Sequence, residues 1–122
     1  MKKALTILIG LLFASVTFAQ YSAQDEYAEY FNYYSQVMSS SNKYLFSSSS
    51  EAQQAVSNLQ AMKKHYDAKY SYFIQKSNNS SNIEEAQYYM QIANECQNKS
   101  KYCHNWIIKA KTQVDLLRYA GY

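Results

Sequence analysis

Chemistry in this 122-residue chain has few places to start: two cysteines, Cys96 and Cys103, and two histidines, His65 and His104. The cysteines lie seven residues apart. In one unbroken helix, at about 1.5 Å per residue, that spacing puts their Cα atoms about 10.5 Å apart, whereas a disulfide needs less than about 7 Å. Three outcomes follow. The helix breaks near Ser100 and the pair closes, or each thiol stays free as a small core residue, or each pairs with a second chain. In an oxidising compartment the disulfide is the default. A metal site drawn from Cys96, Cys103, His104 and His65 lacks any C-x-x-C, H-x-x-x-H or E-x-x-H spacing. The carboxylates form no clustered acid–base pair, no serine stands in a G-x-S-x-G context, and a phosphate loop has no glycines to build it. The expectation is a protein that is not an enzyme and holds no cofactor.

Cys103-His104 does resemble the end of the covalent c-type haem signature, although Ser100 holds the place of its first cysteine. Helical-bundle cytochromes of the c-prime type carry such a motif on their last helix. The resemblance covers two residues and implies, as an alternative reading, a haem- or metal-binding bundle using Cys103 and His104, with Met38 as an axial ligand.

The N-terminus has the order of an export signal. Lys2 and Lys3 precede an apolar stretch at 4–13 and the segment 14–19, with small residues Thr17 and Ala19 at the −3 and −1 positions of a cut before Gln20. The apolar run is short of the roughly 20 residues a span requires. These features predict a bacterial-type signal peptide over residues 1–19 and a periplasmic or secreted domain over 20–122, with no membrane span after cleavage. Without Lys2 and Lys3 the formal charge of +3 falls by two, to +1. That is too weak a balance for nucleic-acid binding, which needs a concentrated basic face.

The elements that must position these residues are helices. Beyond the signal the chain has no proline, and its only glycine is Gly121. Tight hairpins rely on those residues to set the turn, so long helices joined by Ser/Asn loops are expected. Apolar spacing predicts helices at about 23–46, 51–77 and 83–120. Ser22 with Asp25, Ser48 with Glu51, and Ser81 or Asn82 are the expected caps, and the Ser/Asn run at 39–42 is a weak stretch that could end the first helix early. In the third helix Ala86, Ala93, Ser100, Ile107 and Val114 recur every seven residues, followed three later by Tyr89, Cys96, Cys103, Ala110 and Leu117. This is an a/d seam. The predicted fold is all-α: an antiparallel bundle of three long helices, or four if the last breaks near residues 98–101. Small seam residues in the first half of that helix lie opposite Tyr66, Tyr70 and Phe73, and Ile107, Val114 and Leu117 meet Ala52, Ala55 and Val56, as interdigitated packing requires.

Function is then a matter of surface. A continuous third helix, about 57 Å long, would overhang its shorter neighbours and leave Val114, Leu116, Leu117, Tyr119 and Tyr122 partly uncovered beside Lys109, Lys111 and Arg118. Such a patch marks a partner or self-association site, with Trp106, the only tryptophan, as a candidate anchor. The leading expectation is a small exported helical protein acting by protein–protein interaction, in an adaptor, chaperone, inhibitor or immunity-type role. A further alternative is a cell-envelope glycan binder that uses some of the fourteen tyrosines and Trp106.

Overall fold

The computed structural model describes residues 21–122; the predicted signal peptide and its cut before Gln20 lie outside them. Three helices follow in order, α1 (Ala28–Met38), α2 (Ser49–Asn78) and α3 (Ile83–Tyr119). They form an up-down-up bundle, with no strand among the described residues.

Two predicted caps form. The Ser48 hydroxyl accepts the Glu51 N–H at 3.1 Å to start α2, and Asn82 Oδ1 accepts the N–H groups of Glu84 and Glu85 at 2.8 and 3.3 Å to start α3. Each satisfies donors that a helix N-terminus leaves unpaired. Between them the 79–82 turn is braced by hydroxyls: Ser80 donates to the Lys76 carbonyl and Ser77 to that of Ala86, both at 2.7 Å.

α3 is a single helix of 37 residues. The weak stretch at 98–101 does not break it, because its polar side chains are held elsewhere. The Ser100 hydroxyl donates to the Asp67 carboxylate on α2, and Lys99 donates to Asp25. Neither competes for backbone groups, which is the usual way serine weakens a helix. Cys96 and Cys103 are therefore buried, free thiols, and the disulfide that needed a break does not close. Eight of the ten seam positions are buried; Ala86 and Tyr89, near the hairpin turn, are half-buried. Ala93, Cys96, Ser100, Cys103 and Ala110 are small enough for the α2 and α3 backbones to run close together along the hairpin.

The first helix differs from its predicted span of 23–46: it has 11 residues and is not long. At its C-terminal end the Ser39 hydroxyl takes the Gln36 carbonyl and Ser40 takes the Asn42 N–H, so local side chains replace helical bonding. At its N-terminal end Asp25 captures the Tyr27 N–H at 3.0 Å, while Ser22 donates to Glu26 instead of capping. Residues 21–27 thus form a non-helical strap. α1 packs through Tyr30, Tyr34 and Met38, with Tyr27 of the strap just before it, all buried, and these large side chains hold its backbone away from the hairpin.

The expected C-terminal overhang is absent. Residues 43–48 fold over that end of α3: Gln113 accepts the Leu45 N–H at 2.8 Å and donates to the Lys43 carbonyl at 3.0 Å, and Phe46 is buried. The chain closes on itself where Ser49 N–H donates to the Tyr122 carbonyl at 3.2 Å and Tyr44 packs against the Tyr122 ring. Gly121, at φ +85°, supplies the left-handed residue that ends the helix. Bare apolar surface remains at both ends: Tyr119 and Tyr122 are exposed beside the C-terminus, and by the hairpin turn Ile83 is 76% exposed and Tyr88 is also exposed.

Candidate functional site: an aromatic corner and a buried ionic latch

The predicted contact residues divide. Val114 and Leu117 are core side chains, Leu117 only 1% exposed, because as seam positions they belong to the buried cluster. Leu116 is half-buried, Tyr122 is exposed but leans on Tyr44, and Tyr119 is free at 94% exposure. Trp106 belongs to a different grouping. Its ring lies 4.9 Å from Phe31 of α1 and 5.6 Å from Tyr102, and Phe31 and Tyr102 meet edge-to-face at 5.9 Å. Phe31 and Trp106 are half-buried, whereas Tyr102 is 56% exposed. The Lys99 ammonium lies 5.2 Å from the Phe31 ring centre, and Lys109 donates to the Met38 carbonyl at the end of α1. Three rings and two cations thus mark the seam between α1 and α3. This corner exists only because α1 runs alongside α3, so the spacing within α3 alone could not show it.

The Cys103–His104 pairing loses its shared geometry. Cys103 faces the core, where burial pushes its thiol up to about 12, while His104 lies on the outer face beside Lys63, Lys101 and Asn105. Burial likewise raises the Cys96 thiol to about 11. Both are poor thiolates and so poor nucleophiles or ligands. Among the described residues, no three His, Cys, Asp or Glu side chains gather as a metal would require.

A second site is one that helical spacing did not single out. Lys69 is 1% exposed, in register with Met62, Tyr66 and Phe73 on the inward face of α2. Its ammonium donates to Glu26 at 3.0 Å and to the Gln24 carbonyl. Glu26 also accepts from Ser22 at 2.7 Å. Burial pushes the Glu26 carboxyl up, but the bonds from Ser22, its own backbone and Lys69, with the Lys69 charge, outweigh that and hold it low. Beside it, Asp25 accepts from Lys99, from Tyr27 N–H and from the Tyr66 hydroxyl at 2.9 Å. Burial first, then the Asp25 charge, pushes the Tyr66 phenol far above its usual range. Two strap carboxylates therefore clamp two ammonium groups, one from each long helix. The signal in the sequence was a lysine standing at an apolar position.

His65 completes this cluster. It is 1% exposed, its ring is 4.3 Å from Tyr27 and 5.8 Å from Tyr21, and neither ring nitrogen has a hydrogen-bond partner. Comparison of the chain with protein-family models, with curated proteins and with solved structures finds no match.

Proposed function

We propose that the protein is exported and acts by protein–protein contact, in an adaptor, chaperone, inhibitor or immunity-type role, through the aromatic corner of Phe31, Tyr102 and Trp106. One observation carries this reading: the single tryptophan is clustered with two further rings at an open seam between helices. Partly exposed Trp and Tyr with neighbouring cations are the side chains that dominate binding energy at interfaces. Tyr119 extends the outer face of α3 but has no ring neighbour in the cluster. The corner thus replaces the C-terminal patch expected from helix length.

The test compares wild type with Tyr102→Ala/Trp106→Ala as bait for proteins of the producing cell's envelope. The expected result is one stoichiometric protein partner, lost with the double variant while its helical signal at 222 nm is kept. Retention of cell-wall polysaccharide, lost on Trp106→Ala, would move the reading to a glycan binder. N-terminal sequencing of protein recovered outside the cytoplasm should begin at Gln20; a start at Met1 contradicts export by cleavage.

A further inference from the structure

We infer that residues 21–27 are an acid-released strap, in which protonation of His65 expels the segment from the hairpin and bares the α2 and α3 faces beneath it. The geometry leaves a charged imidazole one partner short. Imidazolium carries two N–H donors, and both ring nitrogens of His65 are buried with no acceptor in hydrogen-bond contact. Glu26 Oε2, 3.5 Å from Nε2, can pair with one of these N–H groups although it shares its charge with Lys69, whereas Nδ1 has no acceptor.

Every element around His65 contributes. The strap presents Glu26, Asp25, Tyr21 and Tyr27, and α2 presents Lys69 and Tyr66; Lys99 of α3 joins the cluster through its pair with Asp25. At neutral pH two carboxylates face two ammonium groups and the cluster is balanced. A proton on His65 adds a third cation against the same two anions.

The direction follows from linkage. Burial lowers the His65 pKa, more than the Glu26 charge raises it, so the closed strap binds this proton less readily than an open one. Closure is fully favoured above the ordinary histidine value of about 6.5 and weakens as pH falls below it. Glu26, held low when the strap is closed, acts in the same direction at more acid pH: its contribution is present above about 4.3 and fades beneath. The strap is the part that yields because Asp25 and Glu26 hold it by ion pairs beside one buried ring, Tyr27, while the hairpin below it is closed by a continuous apolar seam.

Amide hydrogen exchange on 15N-labelled protein tests this, with rates corrected for their intrinsic pH dependence. Between about pH 7.5 and pH 5 the Tyr27 and Ala28 amides should lose roughly tenfold protection, while Leu59 and Ala110 keep theirs. His65→Gln, neutral throughout, should show no such loss, and Glu26→Gln should loosen the strap already at pH 7.5. Constant Tyr27 protection overturns the inference, as does loss in step with Leu59, or an unchanged pH profile in H65Q. Should H65Q fail to fold, the His65 imidazole titration of wild type decides. A midpoint matching strap release upholds the inference, and release without His65 titration overturns it.

Discussion

A lysine ammonium taken out of water costs several kcal/mol unless its partners replace the hydration it loses. Lys69 finds them in Glu26 and the Gln24 carbonyl, and so ties the strap to α2. Lys69→Met keeps most of the stem's packing and removes both bonds. Glu26 is one-third exposed, so water can resolvate part of what is lost. The expected cost is about 1–3 kcal/mol in urea unfolding, with Tyr27 amide protection lost before that of the hairpin. An unchanged urea midpoint would mean that the latch holds nothing. Helical spacing did not single out position 69, and it cannot say which anions wait there, because Asp25 and Glu26 lie more than forty residues away. For the same reason the orphaned imidazole of His65 was invisible: its environment is made by a segment read from the sequence as helix.

At the scale of elements, the legible features were those with a local cause. Ser48 and Asn82 cap because their side chains reach N–H groups two or three residues on, and the seam of α3 shows as a strict seven-residue recurrence. What failed was decided by tertiary contact. Asn98 to Lys101 reads as a break until Asp67 and Asp25 take Ser100 and Lys99. Tyr44 and Leu45 fit helical spacing with α1, but they belong to a segment pinned by Gln113, a polar residue between seam positions. Gln113→Leu leaves the Leu45 N–H without its acceptor and should cost about 1–3 kcal/mol, with Phe46 and Tyr122 resonances broadening as the cover loosens. A variant as stable as wild type, with those resonances sharp, would contradict the clamp.

The whole molecule is a long helical hairpin with a short aromatic helix laid along it. Its stability rests on volume matching: small residues on α3 admit α2 closely, and the tyrosines of α1 fill the wider gap. Ala93 is a small seam residue that is fully buried. Ala93→Tyr should destabilise the bundle by about 1–3 kcal/mol or more through overpacking, seen as a lowered melting temperature, whereas a change at exposed Tyr119 should leave it nearly constant. A melting curve unaltered by Ala93→Tyr would displace this residue from the core. The same closed packing is why surface could not be judged from helix length: Val114 and Leu117 of the expected C-terminal patch are buried, while Tyr119 and Tyr122 stay exposed.

The unbroken α3, on which both the seam and the aromatic corner depend, is most directly tested by counting thiols. Purified, non-reduced protein treated with 4,4′-dithiodipyridine should react slowly when native and release two equivalents when unfolded in guanidinium, because Cys96 and Cys103 are buried on one continuous helix. A Cys96–Cys103 disulfide in the peptide map, with no thiol released on unfolding, would contradict it.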